Sequence, residues 1–401
     1  MSSPEIGQVA APASAAPSPA LLTVIAFATG GLVANLYYSQ PLIGVIGPEL
    51  GIRPDIAGAV VSVTQIGYGI GLFLFVSLAD LVENKKLVLI ALVGTILALI
   101  GAALSPTAAI FFIASFIIGV CSTGAQVLVP YTIHMVPEAN RGRVVGNVMA
   151  GLLTGILLAR PFSLFVSASL GWRSVFWISA GLMLLIGVLL MRMMPKFQPR
   201  GGMSYGKILR SMFGLLVNTP VLRRRAAYQG LMFCAFNVFW TAAPLMLAER
   251  FGLNQQGVAL FALAGAGGAL AAPLAGRLAD RGLVRGATFG AMAVLTLSFF
   301  GSNWAVGATA MAALVVLTLL IDAAVQTNQV VSQRVIFSLP GEVRGRVNAI
   351  YMTTAFFGGA IGSTLATTTY HAGGWSATAT AGGLIGVIAL LIFATDRGAK
   401  A

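Results

Sequence analysis

Apolar runs of about 20 residues, the length needed to cross the hydrocarbon core as a helix, recur along the whole chain. The pattern predicts helices over 21–45, 56–79, 87–104, 108–133, 144–167 and 174–191. Six more fall at 226–248, 258–279, 286–301, 305–333, 347–369 and 377–394. Between them lie short polar loops, and the 195–225 segment is the longest stretch without such a run. The pattern therefore predicts an all-α membrane protein of twelve transmembrane helices. Its expected divisions are a disordered cytoplasmic tail (1–20), a six-helix half (21–194), a basic cytoplasmic linker (195–225), a second six-helix half (226–394) and a cytoplasmic tail (395–401).

Composition agrees: of 401 residues 58% are hydrophobic and only 9% charged. Net charge is +13, which in a soluble protein would raise the question of nucleic acid. Here the basic residues sit between spans, in alternate loops. Lys85, Lys86, Arg141, Arg143, Arg192, Lys207, Arg223, Arg277, Arg285, Arg334 and Arg344 share one set, while the other set holds Arg53, Arg173 and Arg250. By the positive-inside bias both termini are cytoplasmic, and the charge needs no nucleic acid. Localisation to the cell inner membrane is the expectation. Cys121 and Cys234 each lie in an apolar run and read as small core residues.

The chain repeats itself. Ser77-Leu-Ala-Asp80 returns as Arg277-Leu-Ala-Asp280, and Arg141-Gly-Arg-Val144 as Arg344-Gly-Arg-Val347. Asn35-Leu-Tyr-Tyr38 has a counterpart in Asn237-Val-Phe-Trp240, Ala125-Gln126-Val127 in Asn328-Gln329-Val330, and Gly171-Trp172 in Gly374-Trp375. The order and nearly constant offset predict two pseudo-symmetric six-helix halves, with a substrate site between them near the midplane.

At these residues the chain resembles the major facilitator superfamily, over essentially 21–394. The loop after the second span is similar to that family's G-x-x-x-D-R-x-G-R-[RK] motif. Leu78, Ala79, Asp80, Lys85 and Lys86 fit; Val76, Leu81, Glu83 and Asn84 depart. A second copy lies around Gly276, Leu278, Ala279, Asp280 and Arg281. The resemblance implies a gating role for Asp80, Lys85 and Lys86, and for Asp280 and Arg281. Asn35-Leu-Tyr-Tyr-Ser-Gln-Pro41 looks like the first span of bacterial drug/proton antiporter and sugar-efflux permeases. The antiport signature of the fifth span is kept only at Pro161, with Ile156, Arg160, Leu164 and Phe165 where glycines belong, and Ser115 stands where the fourth span usually has an arginine.

Ten of the eleven acids fall in loops, tails or span ends; Asp322 alone is deep in a span. A charge there costs about 2.5–3.5 kcal/mol on insertion scales, so an intramembrane acid is a candidate for proton or substrate handling. Asp322, Gln326, Gln329 and Gln333 share one helix face within roughly 60°. Ser115, Gly119, Ser122 and Gln126 form the equivalent stripe of the fourth span. The two stripes are expected to face a central cavity, with Asn35 and Tyr38 from the first span and Asn237 and Trp240 from the seventh as its walls. The plain alternative is that the amides tie helices together. For Asp322 it is a static ion pair with Arg160, the one arginine deep in a span. Glycines in spans two, five, eight and eleven fit the surfaces along which the family's halves rock.

No nucleophile–base–orienter set and no metal-ligand cluster appear together, so neither catalysis nor a cofactor is expected. The reading is a monomeric secondary transporter, proton-coupled, exporting a small organic compound by alternating access. Its alternatives are a proton-coupled importer or facilitator of a small metabolite, and a transporter-like sensor.

Overall fold

The computed structural model describes residues 17–136, 138–198 and 204–396. The expected N-terminal tail up to residue 16, and the C-terminal tail from 397, lie outside them. Every described element is helical. Among the described residues nine helices are long and apolar enough to cross a membrane. One of them, Arg344–Ala394, contains non-helical backbone at Gly373 and Gly374, so its 51 residues form two spans. Gly374 adopts a φ of 63°, where a side chain would be strained, and that turn separates spans eleven and twelve.

The other two spans are interrupted helices. Span one runs as Pro19–Ala34, a turn through Asn35 and the two tyrosines, a 3-10 segment Gln40–Leu42, and Ile43–Glu49. Span eight runs as Gln255–Gly265, a 3-10 segment Ala266–Leu270, and Ala271–Asp280. With the ten spans above, these two are consistent with the twelve of the hydrophobic pattern.

Two boundaries and the linker differ from expectation. Span nine continues to Gly307, past the break expected near Gly301. Ser302 there is buried and its hydroxyl donates to the Phe299 carbonyl, so a residue that reads as a turn former is satisfied within the helix. Span seven starts at Pro220, taking Arg223, Arg224 and Arg225 out of the linker. Arg224 pairs with Asp396 at 2.6 Å and Arg225 donates to Thr288 at 2.8 Å. The linker itself holds an amphipathic helix, Tyr205–Asn218, whose Ile208 and Met212 are buried against Leu222, Ile336, Val347 and Tyr351.

Spans two and eleven pack along each other, as do span five and the first part of span eight. Contacts between the halves run from Asp55, whose carbonyl accepts from Thr367, through Ser62, which donates to Ala360, to Gly69, whose carbonyl accepts from Thr353. They begin at the face opposite the basic loops and reach the middle of span two. At its basic end, span two is met by the linker helix, Phe73 against Phe213 and Ser77 against Met212.

Candidate functional site

The broken span one brings Tyr37 and Gln40 into the middle of the protein, where both meet Arg160 of span five. The Arg160 Nε donates to Gln40 Oε1 at 2.9 Å, and the guanidinium lies 5.0 Å from the Tyr37 ring centroid. Two rings of span seven complete the enclosure, Phe236 at 5.3 Å and Trp240 at 4.6 Å. Cation–π contacts of this kind contribute about 0.5–2 kcal/mol each, more when water is excluded. Arg160 is only 6% exposed, and its Nη2 has no hydrogen-bond partner.

Trp240 links this cation to Asp322. Its indole N–H donates to Asp322 Oδ1 at 2.9 Å while its face receives the guanidinium. Arg160 and Asp322 form no ion pair within 4.0 Å; the direct pair weighed from the sequence is replaced by an indole relay. Span eight makes room for both residues. A Cβ on Gly265 would meet the Trp240 ring at 2.8 Å, and one on Gly268 would meet the Asp322 Cβ at 2.4 Å.

Below Asp322, Gln326, Gln329 and Gln333 are all partly exposed, so the stripe of span ten borders accessible space. Span four does not mirror it. Ser115 and Ser122 are buried, and Gly119 lies against span two, where a Cβ would meet the Thr64 carbonyl at 2.1 Å. Only Gln126 is partly exposed, and it donates to the Tyr68 hydroxyl at 3.1 Å. The two stripes diverge because glycine in span four is used for close helix packing at the position where span ten carries its acid.

Asn35 is buried. Its amide donates to Gly31 O at 3.0 Å and accepts from Ser179 at 2.6 Å, tying span one to span six. Tyr38 is buried against Phe162, 5.6 Å between centroids. It lines a largely apolar groove of about 1240 Å³ between spans one, five and six, away from Asp322.

Asn237 is the hub of a buried amide cluster. Its Oδ1 accepts from Gln40 at 3.1 Å, Gln65 at 2.6 Å and Ser363 at 3.4 Å, and its Nδ2 donates to Phe233 O at 2.9 Å. Gln40 also donates to Thr241 at 3.2 Å. Spans one, two, seven and eleven, two from each half, meet there. Sequence reasoning passed over Gln40 and Gln65 as site residues. Each is an amide within a largely apolar span, and that was the available signal.

Of the residues with an expected gating role, Asp80 ends the 3-10 segment Val76–Asp80 and Lys85 and Lys86 open span three. Lys86 lies 3.6 Å from Glu83. Asp280 pairs with Arg334 at 3.1 Å, within its own half, and Arg281 follows span eight as its C-cap. No group of three or more His, Cys, Asp or Glu that could hold a metal occurs among the described residues.

The sequence profile of the Major Facilitator Superfamily matches residues 22–336. The chain belongs to that superfamily. It is 35% identical over 377 residues to the uncharacterized transporter YgaY of Escherichia coli O157:H7, covering 94% of this chain and 95% of that one. A probable transporter of Streptomyces coelicolor is 32% identical over 362 residues, covering 88% and 82%. Among solved structures, a D-xylose–proton symporter superposes with a TM-score of 0.74 at 18% identity, covering 94% and 97%. An inward-facing, occupied bacterial homolog of the lysosomal transporter Spinster gives 0.73 at 13%, covering 95% and 98%. These likenesses at low identity establish the fold. The chain is thus a multi-pass membrane protein of a transporter superfamily.

Proposed function

We propose that this superfamily member is a proton-coupled secondary transporter of a small organic compound, with Asp322 as the proton carrier. The observation that carries the reading is the placement of Asp322. It is deep within a span and not ion-paired, its Oδ1 is held by one neutral donor, and it borders accessible space above a stripe of glutamines. A carboxylate so placed can be occupied by a proton without leaving a cation stranded against it, because the aromatic rings and Gln40 hold Arg160 independently.

In this reading the basic loops face the cytoplasm, both termini are cytoplasmic and the membrane is the cell inner membrane. The contacts between halves, concentrated from the opposite face to mid-span, then belong to a state whose site opens to the cytoplasm. Resemblance of the first span favours export. The comparisons give export no support.

Asp322→Asn keeps the size of the side chain and its bond to Trp240 but cannot cycle a proton. Proteoliposomes carrying it should lose uphill transport and keep substrate-for-substrate exchange. A folded variant that still concentrates substrate under a proton gradient overturns the carrier role. Transport into right-side-out as against inverted vesicles reads the direction.

A further inference from the structure

We infer that the substrate is a small organic anion, a monocarboxylate in the simplest case, whose carboxylate docks on the free edge of Arg160 and crosses together with the proton on Asp322. The inference deepens the proton-coupled reading and rests on it.

Arg160 is a complete cation with an incomplete set of partners. Its Nε is satisfied by Gln40, and Tyr37, Phe236 and Trp240 pack around the guanidinium. Its Nη2 is buried without an acceptor. A buried donor left unmade is costly, and a guanidinium edge is shaped for a planar carboxylate. Gln40 Oε1 takes Nε and Asp322 Oδ1 takes Trp240, and no acceptor lies within hydrogen-bond distance of Nη2. In this reading the substrate carboxylate supplies that acceptor. The surrounding rings suit a substrate with an apolar or ring-bearing body, which the partly exposed Gln326 and Gln329 can hydrogen-bond further along.

Charge counting ties the anion to the proton. Arg160 and Asp322 balance while both are ionised. An anion entering beside ionised Asp322 leaves the pocket net negative in a medium of low dielectric, whereas with Asp322 protonated the pocket stays neutral. Anion and proton then load together and cross as an electrically neutral pair. A cationic substrate would instead compete with the proton at Asp322, the logic of exchange. The groups that take part in this balance are Arg160 and Asp322, with the phenol of Tyr37 alongside.

The test is thermal melting of the purified full chain in detergent with acetate and benzoate as anionic probes, benzamide as the neutral one and benzylamine as the cationic one. Acetate or benzoate should raise the melting temperature saturably, and benzamide and benzylamine should not. Arg160→Gln should abolish the response, and Asp322→Asn should tighten it by roughly tenfold. Should Arg160→Gln fail to fold, the double variant with Asp322→Asn buries no unpaired charge and carries the same readout. A carboxylate response that survives loss of Arg160, a response to benzylamine alone, or no response to either carboxylate overturns the inference; in the last case water completes the Arg160 edge. Loss of uphill transport in Asp322→Asn without carboxylate binding would overturn the substrate class and leave proton coupling standing. Carboxylate binding with uphill transport intact in that variant would overturn only the carrier role of Asp322.

Discussion

The side-chain oxygen of Asn237 accepts from Gln40, Gln65 and Ser363, donors drawn from both halves, inside a region with no accessible surface. Such bonds are worth about 0.6 kcal/mol each in a bilayer, so the cluster can be broken within a transport cycle and re-formed. Gly359 packs against it: a Cβ there would meet Gln65 Oε1 at 2.0 Å and Asn237 Nδ2 at 2.7 Å. Gly359→Ala should therefore weaken this joint and favour separation of the halves at the face opposite the basic loops. Cysteine accessibility at Thr364 should rise in the variant; unchanged labelling would remove the cluster from the gate. Asp322 was legible from sequence because one acid among apolar residues is conspicuous. The role of Arg160 was only half legible, since its enclosure is built by Tyr37, Phe236 and Trp240, rings that look like ordinary packing until the broken first span brings them together.

Among the elements, the linker helix Tyr205–Asn218 is where the hydrophobic pattern said least. Its apolar residues are spaced for one face only, too few for a span, and flanking arginines made the whole segment read as a polar connection. Met212 and Ile208 are nevertheless fully covered by residues of spans seven, ten and eleven. Met212→Asp should cost about 2–5 kcal/mol of packing at that seam and lower the melting temperature, whereas Phe213→Ala, at a 59% exposed position, should cost far less. Equal effects would mean that the helix is not docked through Met212. The long spans three, four, six and ten were readable because their apolar windows are uninterrupted. The break in span one was not legible because residues 35–39 exchange α-helical bonds for i→i−3 turns, Leu36 to Val33 and Tyr37 to Ala34, while staying apolar enough to hide it.

At the scale of the molecule, the proposed cycle moves contacts from one face to the other, and Asp80 stands at the basic end of span two, where the halves must close. Asp80→Asn should shift the balance between the two open states while leaving carboxylate-probe binding in place. Double electron–electron resonance distances across the basic mouth check this, and unchanged distances would overturn the gating role. The two-half architecture was visible in the repeated motifs, yet the asymmetry between spans four and ten was not. Equal offsets cannot show that Gly119 is packed against Thr64 while its counterpart Asp322 accepts from the Trp240 indole.

The interruptions in spans one and eight also bear on how the protein is made. A ribosome-bound chain is inserted segment by segment, and the insertion machinery rewards continuous apolar helix. Span eight offers 11 helical residues, a glycine-rich 3-10 turn and 10 more, ending in Arg277 and Asp280. Such a segment should partition poorly alone and be carried in by its successor, the 24-residue Val284–Gly307. In a glycosylation-mapping assay, span eight by itself should be inserted less efficiently than the pair eight and nine. The glycine-rich turn that makes room for Trp240 and Asp322 in the finished protein would then depend, during synthesis, on the insertion of its neighbour.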